Sequence, residues 1–291
     1  SGLDQLPAGV WYDEAKIGLE GWHIAQDTTF RPMYSEGTTT PAAYVYLVAL
    51  AEGILGKTVL ALRLTSAFTG IASTVLAFGF ARLAFGTKVA LAVAALFAVA
   101  RWDINFSRIA MQGATTPMLT LLAAVAAVAA IRTGRRLFYA LLGVSLGALA
   151  WFYTANLFFV PCAVLAYGAV AMGQPRAVWA QRQGLVFAVV GMAVVLLPVA
   201  LEAVAHPDLM LERPRDASVF KDLGPGGLVP TLAESVAKHL LMFNVTGDRN
   251  GRHNLPNAPM LDPITAVGLV LGVSLCVPQV WRRSPTRKDQ R

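Results

Sequence analysis

Long apolar runs separated by short polar stretches dominate the chain from about position 58 onward. A helix rises about 1.5 Å per residue, so about 20 apolar residues cross a hydrocarbon core about 30 Å thick. Several runs are shorter than this and would need a locally thinned bilayer. The predicted spans are 58–85, 86–101, 113–131, 137–153, 155–172, 184–201 and 264–281. The pattern therefore predicts an all-α fold, a polytopic transmembrane helical bundle of about seven spans.

The residues before these runs form a polar first loop with one ambiguous apolar stretch, 41–55. This stretch is short, opens with Pro41, and is interrupted by Glu52 and Gly53. We therefore predict a helix that lies at the membrane interface rather than a span. The predicted organisation is a first outer loop (1–57), a transmembrane core (58–201), a second outer loop (202–263) and a last helix with a basic tail (264–291).

Composition agrees with a membrane protein and excludes several other classes. Hydrophobic residues make up 56% of the chain and charged residues 14%, with a mean hydropathy of +0.55. The net charge is +7, but the basic residues lie at the ends of apolar runs and are not interleaved with exposed aromatics, which argues against nucleic-acid binding. Cys162 and Cys276 both lie within apolar runs, so neither a disulfide framework nor a cysteine metal site is indicated.

Charge sorting gives the predicted orientation in a cell membrane. One set of loops and the C-terminal tail carry basic residues and a single acid, Asp289. Their basic residues are Arg82, Lys88, Arg132, Arg135, Arg136, Arg176, Arg182, Arg282, Arg283, Arg287, Lys288 and Arg291. The positive-inside rule assigns these loops to the cytoplasm. An even number of predicted spans separates the two long polar loops, so both are expected on the extracytoplasmic face, together with the stretches RWDINFSR and WFYTAN.

Three polar stretches on that face are candidates for chemistry. The adjacent acids Asp13 and Glu14 stand in the first loop, where desolvating two carboxylates is costly. Arg108 begins an apolar stretch, which would hold its guanidinium at the depth of a lipid phosphate; the alternative is a snorkelling anchor. The third stretch lies just before the last span and is either part of a site or a solvated turn. It contains Asp248, Arg249, Arg252, His253 and Asn254.

These residues carry a resemblance to a known family. LPAGVWYDEA, a polar turn, the Pro-led YVYLVAL helix and ALRLTSAFTG resemble the first outer loop and second helix of GT-C-class integral membrane glycosyltransferases. NFSRIAMQGATTPML and MFN-x-x-GD-x-x-GRHNLP-x-x-PMLDP are similar to stretches of a bacterial branch of glycosyltransferase family 39. This is the family of protein O-mannosyltransferases and aminoarabinose transferases. Each motif alone is weak, but together they follow the same order over most of the chain.

The resemblance implies transfer of a sugar from a polyprenyl-phosphate donor to an acceptor hydroxyl outside the membrane, with inversion. A hydroxyl nucleophile needs a base, and a departing phosphate needs cations or a metal. The catalytic candidates are Asp13, which matches the family's base, and its neighbour Glu14. The phosphate-binding candidates are Arg108, Arg249, Arg252 and Lys16, and Glu36 and His253 could hold a divalent metal ion. We expect the first loop, Arg108 and segment 241–262 to form one cleft. Because the chain opens at Ser1 without an apolar anchor, we also expect a fragment that lacks the family's first helix.

The chain departs from the family pattern in two places. Thr38-Thr39-Thr40-Pro41 stands where relatives often carry an acidic or basic residue with prolines, and Gln112-Gly113-Ala114-Thr115-Thr116 stands where many carry a second acid. Asp103 could replace that acid, or could serve as a cap or a partner of a nearby arginine. The rival functions are a transporter or lipid flippase and an inactive or assembly subunit. Charges concentrated in outer loops, with few inside the spans, favour an enzyme over a transporter.

Overall fold

The computed structural model describes residues 2–5, 9–36, 40–173, 179–208, 227–251 and 253–282, together with Arg215, Ser218 and Leu223. This part of the chain is helical, apart from turns and one isolated antiparallel β-bridge between Tyr34 and Pro41. The helices are α1 (Tyr12–Gln26), α2 (Ala43–Leu55), α3 (Val59–Phe85), α4 (Thr87–Ala98), α5 (Arg101–Phe106), α6 (Thr115–Thr133), α7 (Arg136–Phe152), α8 (Phe159–Gly173), α9 (Arg182–Ala205), α10 (Leu228–Leu241) and α11 (Pro263–Arg282). Short 3-10 helices, Gln112–Ala114 and Thr154–Phe158, precede α6 and α8.

Three helices are long and apolar enough to cross a membrane: Val59–Phe85, Gln112–Thr133 and Arg182–Ala205. The other predicted spans coincide with apolar helices whose fully described stretches are shorter. On α3 the side chains of Phe68, Ile71 and Val75 are exposed at helical spacing, as expected for a surface that faces lipid. The all-helical class is therefore confirmed for the described residues, and three helices suggest a membrane protein by their length and composition. The number of seven spans and their orientation stay predictions.

The first polar stretch contains the 15-residue helix α1 (Tyr12–Gln26), where the sequence indicated a loop. Glu14 caps α1, because its side chain accepts a hydrogen bond from the backbone N–H of Trp11 at 3.0 Å. At the other end, Arg31 donates to the carbonyls of Ile24 and Asp27, which satisfies groups that a helix end leaves free. The buried face of α1, which includes Ile17 and Ile24, packs on α2.

Two further differences from the predicted layout lie next to or within segments predicted on the outer face. The predicted span 86–101 is shorter than expected, since α4 stops at Ala98 and the separate short helix α5 follows. The long polar segment 202–262 contains α10, which places exposed Val229, Val236 and Leu240 along one side.

Glycines allow α7 and α9 to pack very closely. A Cβ at Gly143 would lie 1.8 Å from the carbonyl oxygen of Ala188, and one at Gly191 would lie 2.8 Å from that of Ala140. Gly143 and Gly147 form a G-x-x-x-G pair on α7, the small-residue pattern by which membrane helices approach backbone to backbone. The contact between α7 and α9 is therefore held by close backbone packing.

Candidate functional site

A buried ion pair fixes the start of α1 against α3. The carboxylate of Glu14 and the guanidinium of Arg63 are both fully buried. Arg63 donates from Nε to Oε1 at 3.0 Å and from Nη2 to Oε2 at 3.1 Å, the two-pronged geometry that arginine alone provides. Arg63 also donates to the carbonyls of Leu3 and Gly9. One guanidinium therefore holds both the N-terminal segment and the first turn of α1.

The same carboxylate ties the first segment to the stretch that carries Arg108. Oε1 of Glu14 accepts a hydrogen bond from the backbone N–H of Ala110 at 2.9 Å. Arg108, half-buried, donates to the carbonyl of Gly2 at 3.5 Å. Asp13 precedes Glu14 in the first turn of α1 and is half-buried. The start of α1 and the Arg108 stretch therefore lie against each other. The cleft predicted between them, with Asp13 facing it, stays a prediction.

Segment 248–259 packs on the opposite part of the same stretch. The side-chain amide of Asn105 donates to the carbonyl of His253 at 2.8 Å, and Arg101 donates to that of Pro259. The ring of His253 stacks on Phe106 with centroids 5.6 Å apart. All three polar stretches singled out in the sequence thus come together around α5 and the residues that follow it.

An acid and a histidine organise segment 248–259 from within. Nδ1 of His253 lies 2.7 Å from Oδ2 of Asp248. The pKa of the Asp248 carboxyl is held below its ordinary value, first by the backbone N–H of Asn250 and also by His253. Asn254 is buried and donates to the carbonyl of Ala258 at 2.7 Å. Arg249 projects from this turn as an exposed cation, whereas the predicted phosphate ligand Arg252 lies outside the described residues.

Asp103 is the acid of α5 and is half-buried against α3. Burial raises the pKa of its carboxyl to about 6. A Cβ at Gly70 would lie 3.7 Å from Oδ2 of Asp103 and 2.0 Å from the hydroxyl of Ser107. The close approach of Gly70 therefore seats this carboxyl beside α3.

The remaining predicted residues lie along α1 and the loop after it. Lys16 sits over the ring of Tyr12, 4.6 Å from its centroid, and borders a groove that Glu36 also lines. Glu36 is exposed, and its backbone N–H donates to Glu20 at 3.1 Å. His253 instead has its ring on Phe106, so the two residues predicted to share a metal have different immediate neighbours. No group of three or more metal-binding side chains occurs within the described ranges. A metal role for Glu36 and His253 stays a prediction.

Sequence reasoning missed the residue that holds the site together. Arg63 lies inside the apolar run ALRLTSAFTG and is not among the site residues predicted from the sequence. An arginine in such a run was itself a signal, because a buried guanidinium needs an acidic partner. The buried acid Glu20, to which the hydroxyl of Ser35 donates, was also missed.

In comparisons with known proteins, no family model, no curated protein and no solved structure matches the chain. The likeness to glycosyltransferase family 39 therefore rests on the quoted motifs alone.

Proposed function

We propose that the protein is a membrane glycosyltransferase that moves a sugar from a polyprenyl-phosphate-linked donor to an acceptor hydroxyl on the extracytoplasmic face. The observation that carries this proposal is the meeting of three separate polar stretches around α5. Ala110 contacts Glu14 of the first segment, and Asn105 contacts His253 of the third. A base and phosphate-binding cations must converge on one reacting centre, and these contacts support such convergence.

Asp13 is the proposed general base. Its neighbour Glu14 uses both carboxylate oxygens in hydrogen bonds with Arg63, Ala110 and Trp11, so we assign Glu14 a positioning role rather than the shared chemistry that the sequence suggested. Asp13 is the half-buried acid in the same helical turn. A base must be anchored yet reachable, and this position provides both.

The proposed reaction is a single displacement. The acceptor oxygen attacks the anomeric carbon, and the bond from that carbon to the donor phosphate oxygen breaks. The hydroxyl proton passes to Asp13, and the electron pair of the broken bond leaves with the lipid phosphate. Arg108 and Arg249 are the described cations proposed to bind that phosphate, with Arg252 and Lys16 as further candidates. Attack opposite to the leaving group inverts the anomeric carbon.

The experiment that tests this proposal is sugar transfer from a polyprenyl-phosphate donor by the full-length protein in detergent. Asp13→Asn keeps size but cannot take a proton, so turnover should fall by about 10²–10⁴ while donor binding is largely kept. Asp27→Asn, at the far end of the same helix, is the matched control and should keep full turnover. Undiminished transfer by Asp13→Asn would exclude that residue as the base.

The arginines are tested by donor binding as well as turnover. Arg108→Ala and Arg249→Ala should weaken both, and Arg108→Lys should restore less than half of the loss, because lysine lacks the planar fork. The exposed Arg215 is the control, and Arg215→Ala should leave donor binding unchanged. If the protein moved lipid between the leaflets of proteoliposomes and transferred no sugar, a lipid flippase would replace the glycosyltransferase as the proposed function.

A further inference from the structure

A groove of about 340 Å³ runs beside α1 and is not used by the proposed base or phosphate ligands other than Lys16. It is bounded by α1 and by the loop that follows this helix. Its lining residues are Lys16, Leu19, Glu20, His23, Phe30 and Glu36.

The wall of the groove holds a fixed carboxylate. Glu20 is only 9% exposed. The hydroxyl of Ser35 donates to its Oε2, and the backbone N–H of Glu36 donates to its Oε1 at 3.1 Å. Burial raises the pKa of this carboxyl above its ordinary value. A carboxyl held in one orientation by two donors is pre-organised to accept or share hydrogen bonds with a ligand.

A second wall is aromatic. The rings of His23 and Phe30 stack with centroids 4.1 Å apart and planes inclined by 12°. Phe30 also packs on the cluster of Ile24, Val45 and Ala49, which fixes its orientation. The groove therefore combines an apolar, flat surface with hydrogen-bonding groups at its edges.

The groove follows on from Asp13 along one face of α1. Glu20 comes seven residues after Asp13, about two helical turns, so the two acids lie on the same side of the helix. From Lys16 to His23 the helix rises about 10 Å, roughly the length of two linked sugar rings. A ligand bound in this groove would have one end near the proposed base.

The charge and shape of the lining select among ligands. Glu20 and Glu36 contribute two carboxyl groups to the lining and Lys16 contributes one ammonium. Lys16 is the lining residue nearest to Asp13 in the sequence, so a donor phosphate could reach it at that end, whereas the carboxyl groups further along disfavour a phosphate inside the groove.

Carboxylates and an ammonium suit hydroxyl groups, and the exposed side chains of Leu19 and of His23, whose ring is supported by Phe30, suit the C–H face of a sugar ring. We infer that this groove binds the acceptor, and that the acceptor is a neutral, hydroxyl-rich glycan. This inference rests on the proposed function.

The test is saturation-transfer NMR on the full-length protein in a detergent without a sugar headgroup. The probes are neutral methyl hexosides and their disaccharides, with a hexose 6-phosphate as comparator. At least one neutral probe should bind, and the phosphate should bind more weakly. Glu36→Gln, at an exposed position, should weaken binding about tenfold through loss of a charged hydrogen bond. Phe30→Leu keeps an apolar side chain on the α2 cluster but removes the ring on which His23 stacks, so it should weaken binding about fivefold.

Glu234→Gln on α10 is the control and should leave glycoside binding unchanged, while thermal unfolding of each variant checks its fold. Absence of neutral glycoside binding, equal binding of the phosphate, or binding that survives both groove substitutions would overturn the inference. Transfer that depends on Asp13, without glycoside binding in the groove, would overturn this inference and keep the proposed function. Groove binding without any transfer by the unsubstituted protein would overturn the proposed function and keep a carbohydrate site.

Discussion

Two glutamates, one on α1 and one on α2, are both buried but differ in the hydrogen-bond donors around their carboxyl groups. Glu14 on α1 is fully buried, and Arg63, Trp11 and Ala110 all donate to its carboxylate. Glu52 on α2 is 2% exposed, and its Oε2 has no hydrogen-bond partner among the described residues. Burial alone therefore does not decide the state of a carboxyl group; the donors around it do.

The difference separates a carboxylate that organises a site from one that fills a helix contact. Glu14 joins α1 to α3 and to the Arg108 stretch through charged and backbone donors. Glu52 lies against the glycine face of α1, where a Cβ at Gly21 would be 3.1 Å from its Oε2. Burial raises the pKa of Glu52 to about 7, although Lys57 acts in the opposite direction.

Removal of either partner of the buried Glu14–Arg63 pair should have the largest effect on the free energy of unfolding. Glu14→Ala leaves the buried guanidinium of Arg63 without its acid, and Arg63→Ala leaves the carboxylate without its base. Removal of one partner of a buried pair costs about 3–5 kcal/mol. Denaturant unfolding in mixed micelles should show this loss for each single variant.

The double variant Glu14→Leu with Arg63→Met is the control for that prediction. The double variant leaves no buried charge without a partner. It should therefore lose much less stability than the sum of the two single losses. Single losses below about 1 kcal/mol, or strictly additive losses, would contradict the view that the pair holds the first segment in place.

The contrast also marks how far the sequence could predict the structure. Apolar runs located α3, α6 and α9 to within a few residues, because a bilayer imposes a length and composition that hydropathy records. Helix α1 was not predicted from the hydropathy pattern, because Gly18 and Gly21 form part of its buried face and contribute no hydropathy signal.

The candidate site was predictable only in part. Asp13, Arg108 and His253 were expected on one face from charge sorting, and α5 brings their stretches together. The partner of Arg63 stands 49 residues away in the chain, and no local spacing identifies a contact of that kind. Glu20 was missed for the same reason, since its partner Ser35 comes from the loop after α1.

Glu52 should give the protein a pH-dependent stability of intermediate size. Its pKa lies near 4.5 when unfolded and about 7 when folded, so the folded state binds the extra proton between these values. Stability is then full below about pH 4.5 and falls as pH rises toward 7, by at most about 3 kcal/mol. Unfolding measured from pH 4.5 to 8 should show this decline.

Glu52→Gln isolates that contribution, because glutamine is neutral throughout the range. Asp103, with its pKa raised to about 6, and Glu20, also raised, act in the same direction and remain in the variant. The decline should therefore become shallower without vanishing. If Glu52→Gln left the pH profile of stability unchanged, the carboxyl of Glu52 would not have a raised pKa in the folded protein.

The two glycines that face Glu52 should respond differently to the same substitution, with the smallest effects. A Cβ at Gly21 would lie 2.9 Å from Cγ1 of Val48 and 3.1 Å from Oε2 of Glu52, whereas one at Gly18 would meet its nearest atoms at 3.4 Å. Gly21→Ala should therefore cost about 1–2 kcal/mol through overpacking, and Gly18→Ala should be neutral or gain up to about 1 kcal/mol from helix propensity. Denaturant unfolding of both variants, alone and with Glu52→Ala, measures the difference. Shortening residue 52 relieves one of three close contacts, the third being with the backbone nitrogen of Ala49 at 3.3 Å, so Glu52→Ala should reduce the cost of Gly21→Ala in part. Equal effects at the two glycines would mean that α1 and α2 are not packed tightly around Glu52.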